Sequence, residues 1–542
     1  MDLPTVSKPF APAHPAAPAA RVPRPAGRVR RWGLGLLLAA GLGVVGGSGA
    51  QAPSGQAARA LPALGDGTGL SLTAERRLGD RIMRQLWRNP LLIDDAVLED
   101  GLQRFWTPLV EAAERRGELP ADMRARFAWQ IMLVRDPSLN AFALPGGYLG
   151  VHLGLMAGVA QREELISVLA HELSHVTQRH IARQFDDQAR MAPLLIGSMI
   201  LGALVAGQSP GAAQALIYGG QAAGAQAQLN YSRDMEREAD RIGYAVMREA
   251  GFDPQGFASM FERLQQASAL NDNGRFPYLR SHPLTTERIA DMQQRLGLGA
   301  AGWREREDLL MTLLSARARA LAEPSADALA RRMREAREAG GHAAQAMGRL
   351  YAGALAAALL GEHAQAQAWA QALSDRLAPS AEGARLLRWL QAELALRQRD
   401  AATALTLLGP WPVGATVERP TLMLAAQALA QWPEASALPE DAMAAVTEGL
   451  RERVRTVPHD AAAWLAQAQL ERRRGLGLAA LRSEGEALMV RMDHEGAVDR
   501  YLAAQELGRR QALSAADHIL LSIIDVRLRQ ARAALRELQA ER

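Results

Sequence analysis

The sequence contains no cysteine, which excludes disulfides, thiolate metal sites and a lipid-anchored cysteine behind an apolar leader. Aromatic residues are also scarce, at 5%, whereas apolar residues make up 49% and Ala, Leu, Arg and Glu are abundant. This composition is typical of a mainly helical globular protein. A chain of 542 residues is too long for one compact core, so we expect two or more folded units.

An excess of basic charge is absent once the N-terminus is set aside. Residues 1–31 are Pro/Ala-rich and basic at their end, an apolar stretch spans 32–45, and Ala50-Gln51-Ala52 fits a cleavage site. We therefore predict a signal peptide over residues 1–52 and an exported, periplasmic protein; an uncleaved membrane anchor is the alternative. Without this segment the chain has 56 Lys/Arg and 57 Asp/Glu, which gives no electrostatic case for nucleic-acid binding.

The pattern after a predicted linker at 53–70 indicates an α+β fold that is mostly α. Helices are predicted over residues 96–116 and over an earlier stretch whose apolar side chains share one face, namely Leu78, Ile82, Met83 and Leu86. Alternating apolar residues over 127–134 predict a half-buried strand. A second extended run follows and is broken at residues 145–147. We expect a small sheet beside the helices.

The most apolar internal stretch is residues 191–206. At sixteen residues, broken by Pro193, Gly197 and Gly202, it is marginal for crossing a bilayer. It is interpreted either as an interior helical hairpin or as a lid or peripheral membrane contact near the site. An integral membrane protein would require both this run and the N-terminal apolar stretch to span.

Residues 301–542 read as Ala/Leu/Arg-rich helices. A charged turn followed by a helical phrase recurs at 361, 397 and 492, which is a weak tetratricopeptide-type signal with irregular spacing. Stacked helical pairs of this kind form a concave surface that binds peptides or partners. An ordinary helical bundle is the alternative.

The chemistry is concentrated in HELSH, residues 171–175. His171 and His175 are four residues apart on a predicted helix, so their imidazoles can reach the same metal ion. Glu172 is placed to act as a general base without being a ligand. A solvated helix that happens to be rich in His and Glu is the alternative.

A catalytic zinc ion needs a third protein ligand. On a continuous helix His180 turns to the side opposite His171, so we expect His180 at the surface. A better candidate lies in SRDMEREADRIG, where Glu236 and Asp240 share one helical face. One of these carboxylates can bind the metal while the other accepts the free ring N–H of a ligand histidine. Alone, such a pair is usually just a solvated acidic face.

Four separated motifs occur together in order: LNAFALPGGYLGVH, HELSHVTQRH, SRDMEREADRIG and RSHPLTTERI. Over roughly residues 71–295 the sequence resembles the M48 zinc metallopeptidases, and their exported bacterial branch in particular. The resemblance implies a zincin-like domain at 71–300, one Zn²⁺ ion held by His171, His175 and Glu236, and catalytic roles for Glu172 and Asp240. It also implies tetratricopeptide repeats in the C-terminal region.

The resemblance further implies a regulatory role for His282, as a fourth zinc ligand that holds the enzyme latent. Separately, the extended run is a candidate for substrate binding along a strand edge, through Asn140, Ala141, Phe142, Ala143 and Tyr148; a plain structural hairpin is the alternative.

The implied function is an exported endopeptidase that removes unfolded or misassembled outer-membrane proteins. Its helical repeats would bind substrate or the outer-membrane assembly machinery. The competing hypothesis is a periplasmic chaperone or assembly adaptor with a latent peptidase site. Intact Glu172 and Glu236 favour the enzyme, because a purely structural site has no need of a general base.

Overall fold

The computed structural model describes residues 70–186, 233–269, 277–297, 308–340, 343–377, 380–411, 417–434 and 436–540. The predicted signal peptide, nearly all of the predicted linker and the apolar run at 191–206 lie outside these ranges. Among the residues that are described, no helix is both long enough and apolar enough to cross a membrane.

The N-terminal part holds a four-stranded mixed sheet covered by helices. Helix α1 (Leu72–Leu86) begins at Ser71, whose hydroxyl accepts from the Ala74 N–H, and it buries the predicted apolar face. The strand order is β1-β2-β4-β3, with β2 and β4 parallel and the outer pairs antiparallel. The strands are β1 (Leu92–Ile93), β2 (Gln130–Val134), β3 (Ala141–Leu144) and β4 (Tyr148–His152).

The strand predicted over 127–134 is shorter and more buried than the alternating pattern indicates. It begins only at Gln130, because Phe127 ends the short helix α3 (Ala121–Arg126) and Trp129 takes a positive φ of 50°. Its last three residues, 132–134, are all buried, because β2 is an inner strand with packing on both faces. The prediction of a half-buried strand was therefore wrong at this end.

The predicted break in the second extended run is the turn of the β3–β4 hairpin. Gly146 and Gly147 take φ values of 78° and 83°, a left-handed conformation that glycine adopts without steric cost. Strand β3 lies at the end of the sheet and pairs only with β4 within the described chain. Its other edge therefore carries main-chain groups without a strand partner there.

Helix α5 (Arg162–Thr177) packs against β3 and against the following helices. Gly243 lies on the helix Arg233–Glu249 and lets that helix cross α5 closely, because a Cβ at this position would lie 3.1 Å from the carbonyl of Ala170 on α5. The remaining helices of this part are α2 (Ala96–Arg115), α4 (Leu153–Gly158), α6 (His180–Asp186), α7 (Arg233–Glu249), α8 (Gln255–Ala269), α9 (Tyr278–Ser281) and α10 (Thr286–Leu296).

The C-terminal part is entirely helical over its described residues, and most of its helices pack against the next along the chain. They are α11 (Leu309–Ala322), α12 (Ala326–Arg337), α13 (Ala344–Leu359), α14 (His363–Ser374), α15 (Ala381–Arg397), α16 (Ala401–Leu408), α17 (Arg419–Gln431), α18 (Glu440–Thr456), α19 (Ala461–Arg473), α20 (Gly477–Val490), α21 (His494–Arg510) and α22 (Ala515–Ala540). The α+β, mostly α prediction is confirmed, while the repeat type stays a prediction.

The two parts are joined by a continuous core and by buried ion pairs. One hydrophobic cluster extends from α2 into α20. Arg317 on α11 lies 2.7 Å from Asp95, the N-cap of α2, and 2.8 Å from Glu393 on α15. Arg419 on α17, itself buried, lies 3.0 Å from the more exposed Asp94. The C-terminal helices therefore pack directly on the helix that supports the sheet; the boundary at residue 300 stays a prediction.

Candidate metal centre

The predicted H-E-x-x-H motif lies in the interior of α5. Glu164 closes the helix N-terminus by accepting from the Ala160 N–H at 2.7 Å. His171, Glu172 and His175 are all buried, with 2% or less of each residue exposed. The alternative of a solvated polar helix is therefore excluded.

Helix α7 brings the two predicted carboxylates to this motif. Glu236 Oε1 lies 3.4 Å from His175 Nε2, and Glu236 Oε2 lies 3.5 Å from His171 Nε2. Asp240 Oδ1 lies 2.9 Å from His171 Nδ1, on the outer side of the ring. Asp240 was predicted among the catalytic residues, and its catalytic role stays a prediction. The contact with the outer ring nitrogen of His171 is the kind that orients a ligand histidine.

His282 joins the group from the segment that follows α9. One donor atom each from His171, His175, Glu236 and His282 lie within 4.8 Å of one another, and all four residues are buried. His282 Nδ1 is 2.9 Å from Glu236 Oε1, and its Nε2 is 3.4 Å from Glu172 Oε1. His282 thus faces both the donor group and the predicted general base.

The histidine is held in this position from two sides. Tyr278 stacks on the His282 ring, with centroids 4.6 Å apart and planes 30° apart. Arg288 Nη1 donates to the carbonyl of Pro283 at 2.9 Å. Thr285 caps α10, accepting from the Arg288 N–H. The loop is therefore anchored to the helix that follows it.

Arg288 belongs to the centre and was not predicted from the sequence. Its guanidinium lies 2.6 Å and 2.8 Å from the two oxygens of Asp240, and 2.8 Å from Glu236 Oε2. The only sequence signal was its place in RSHPLTTERI. Nothing in that local pattern identifies two carboxylates on another helix as its partners.

The prediction of a surface position for His180 was wrong. The continuous-helix argument fails because α5 ends at Thr177 and Arg179 takes a positive φ of 54°. His180 starts a new helix and is fully buried, with its Nδ1 2.8 Å from His175 Nδ1 and its Nε2 3.0 Å from Glu238 Oε2. It lies outside the four-residue donor group, as predicted.

The electrostatics of the group favour a cation. Burial disfavours a charged imidazole, but Asp240 and Glu236 outweigh it and raise the pKa of His171 to about 9. Burial lowers the pKa of His175 well below its usual range. Burial alone would raise the pKa of Glu236, yet the charge of His282 and hydrogen bonds from His171 and His175 hold it well below its usual range. The carboxylate therefore stays ionised and available to a metal ion.

The residues present fit a zinc ion. Two imidazoles and a carboxylate are a donor set of catalytic zinc sites, which keep a further position for water or substrate. Both carboxylate oxygens of Glu172 are buried and have no hydrogen-bond partner among the described residues. Buried polar atoms are normally paired, so this carboxylate is expected to meet a polar group inside the centre.

The residues predicted to bind substrate in the second extended run fall into two groups. Asn140 precedes β3, and residues 141–143 belong to this end strand, so substrate binding through them stays a prediction. Tyr148 instead lies on the inner strand β4, fully buried, with its hydroxyl 2.6 Å from Asp80 on α1. Tyr148 packs the sheet against α1 and would not meet a chain added at the β3 edge.

An H-E-x-x-H helix, a carboxylate from a second helix and a buried glutamate beside them form the arrangement of a zinc metallopeptidase centre. Residues 104–296 match the model of the family described as peptidase family M48, so this part of the chain carries an M48 peptidase domain. Members of this family use zinc.

Curated relatives agree with this assignment. The beta-barrel assembly-enhancing protease of Escherichia coli is 35% identical over 238 residues, which cover 43% of this chain and 47% of the relative. The protein of the same name in Yersinia pestis is 34% identical over 237 residues with the same coverage. The mitochondrial metalloendopeptidase OMA1 of Saccharomyces cerevisiae is 28% identical over 237 residues, covering 42% of this chain and 65% of the relative.

The resemblance to the M48 peptidases is thereby confirmed for the peptidase domain. The chain spans about half the length of the bacterial relatives it matches.

Proposed function

We propose that this protein is an exported, zinc-dependent endopeptidase that hydrolyses peptide bonds in unfolded or misassembled outer-membrane proteins. The observation that carries the proposal is Glu172, a buried carboxylate beside two converging imidazoles and Glu236. The substrate class rests on the names of the bacterial relatives, which refer to beta-barrel assembly. The periplasmic location rests on the predicted signal peptide.

In this proposal the residues of the centre have separate roles in hydrolysis. His171, His175 and Glu236 would hold a zinc ion, which supplies Lewis acidity to a water molecule and to the scissile carbonyl. Glu172 accepts the proton of the attacking water and returns it to the leaving amine. Asp240 fixes the ring of His171 from its outer side.

The edge of β3 offers a place for an extended substrate. Its main-chain groups can pair with a substrate strand and accept many sequences, since main-chain hydrogen bonds do not depend on side chains. Strand β3 packs on α5, which carries the metal-site histidines. An unfolded segment is the substrate that can lie along such an edge, whereas a strand already paired in a barrel cannot.

We expect proteolysis to depend on a bound metal. Cleavage of a denatured outer-membrane β-barrel protein by the chain from residue 53 should stop after treatment with a zinc chelator. Cleavage should return when one equivalent of Zn²⁺ is added. The measurement is the cleavage rate alongside zinc content. A chain that binds the denatured substrate but never cleaves it, with zinc bound, would instead support the chaperone or adaptor function.

The position of His282 supports self-inhibition as part of the proposal. Its Nδ1 faces the donor group while its Nε2 faces Glu172. In this arrangement one side chain would occupy the position needed by water and also cover the general base. Substrate or partner binding would then have to move the loop that carries His282 before catalysis.

We expect His282→Ala to cleave denatured substrate faster than the wild type. If about nine molecules in ten are closed at rest, removing the closed state raises the rate by up to about tenfold. X-ray absorption at the zinc edge should show one fewer imidazole ligand. The matched control is His518→Ala, an exposed histidine on α22. An unchanged rate together with an unchanged zinc spectrum would contradict the inhibitory role.

A further inference from the structure

A chain of hydrogen-bonding groups continues outward from the buried His175 to the partly exposed Glu238. His175 directs Nε2 towards the donor group, where it lies 3.4 Å from Glu236 Oε1. Its other nitrogen, Nδ1, lies 2.8 Å from His180 Nδ1. His180 Nε2 in turn lies 3.0 Å from Glu238 Oε2, which also accepts from Arg183 Nη1 at 2.8 Å.

The proton positions along this chain are determined by its two ends. A histidine that binds a metal through Nε2 keeps its proton on Nδ1, so His175 must donate outward. His180 Nδ1 then accepts, which leaves the His180 proton on Nε2. That proton is donated to Glu238, a carboxylate that can only accept when it is ionised. Every hydrogen bond therefore runs in one direction, from the metal centre to Glu238.

We infer that His180 is a positioning residue for the metal centre, and that with Glu238 it fixes the tautomer and ring orientation of His175. The arrangement parallels the role of Asp240 behind His171, but with an imidazole inserted between the ligand histidine and the carboxylate. Groups behind metal-binding histidines typically change metal affinity by about 10- to 100-fold when they are removed. The inference rests on the proposed zinc site and is independent of the substrate.

The backbone explains why an imidazole can occupy this place. Residues 177 and 180 belong to different helices, with Arg179 in a left-handed conformation between them. Arg179 is held there by Glu75, whose Oε2 lies 3.0 Å from Arg179 Nε. Without this break His180 would turn away from His175. The break between the two helices therefore brings His180 back against His175, the proposed ligand at the end of α5.

The test compares substitutions at His180 that separate volume from hydrogen bonding. His180→Phe keeps a planar ring but removes both nitrogens, whereas His180→Asn keeps an acceptor near the position of Nδ1. The full chain from residue 53 is titrated with Zn²⁺ against a competing chelator. We expect affinity to fall about 10- to 100-fold in His180→Phe, and clearly less in His180→Asn.

A second readout reports the tautomer directly. In metal-free protein labelled with ¹⁵N-histidine, the wild type should show His175 with its proton on Nδ1 only. His180→Phe should show a mixture of the two tautomers. Glu238→Gln keeps an acceptor but loses the charge. Its fraction of His175 with the proton on Nδ1 should lie between that of the wild type and that of His180→Phe. If His180→Phe fails to fold, His180→Asn and Glu238→Gln decide by the same two measurements.

The outcomes separate this inference from the proposed function. A wild type that does not bind Zn²⁺ would overturn the zinc site itself. If the wild type binds Zn²⁺ but His180→Phe keeps its Zn²⁺ affinity within twofold and keeps the His175 tautomer, only the role of His180 is overturned. Equal losses in His180→Phe and His180→Asn would also overturn it, because shape rather than hydrogen bonding would then be what matters.

Discussion

Replacing Glu172 with Gln is expected to abolish peptide cleavage while leaving the zinc content unchanged. The carboxylate lies next to the donor group without belonging to it, so metal binding does not need its charge. Proton transfer does need it, and losing a general base typically lowers a rate by about 10²- to 10⁴-fold. The measurement is the cleavage rate of a denatured substrate together with zinc quantitation.

The same substitution should not destabilise the fold. Both oxygens of Glu172 are buried without a hydrogen bond in the described chain, and an amide of the same shape is less costly to bury than a charge. The midpoint of thermal unfolding of the metal-free protein should therefore stay the same or rise. Activity and stability would then change in opposite directions, which distinguishes a catalytic group from a structural one.

Glu163→Gln is the matched control, since it makes the same change about two and a half turns earlier on α5, in the first turn of the helix. It should cleave like the wild type. If Glu172→Gln retains cleavage in a preparation free of other proteases, then Glu172 is not the general base. If it loses its zinc, then the loss of activity would have to be attributed to the metal instead.

The parts of the site that could be predicted from the sequence are those defined by residue spacing within a single helix. The spacing of His171 and His175 and that of Glu236 and Asp240 each define one helical face, and both faces are present in the structure. Helical periodicity is a local property, so it could be read without knowing the fold. The same holds for the apolar face of α1 and for the hairpin turn.

Other features depend on tertiary contacts that no local sequence pattern indicates. The position of His180 follows from one left-handed residue, Arg179, whose conformation is held by a contact with Glu75 on α1. The pairing of Arg288 with two carboxylates requires α7 and α10 to be adjacent. The arginine pairs between α2 and the C-terminal helices are likewise long-range. Such contacts appear only once helices have been placed against one another.

Arg288→Met is expected to destabilise the metal-free protein by about 3–5 kcal/mol, because it leaves Glu236 and Asp240 buried without their shared cation. The guanidinium is 3% exposed, and its partners are 2% and 3% exposed, so solvent cannot replace it. Urea unfolding of the metal-free chain measures the loss. The control is Arg295→Met on the same helix, whose partner Asp291 is about one-third exposed; it should cost less than about 1 kcal/mol.

Adding Zn²⁺ should restore part of the stability lost in Arg288→Met, because a divalent cation at the donor group would again neutralise Glu236. Asp240 would stay unpaired on its outer side, so the recovery should be incomplete. A loss no larger than that of Arg295→Met would show that the two carboxylates are protonated or hydrated when the arginine is absent. A loss that Zn²⁺ does not reduce would instead place the role of Arg288 entirely in holding Asp240 and the His282 loop, through its contact with Pro283.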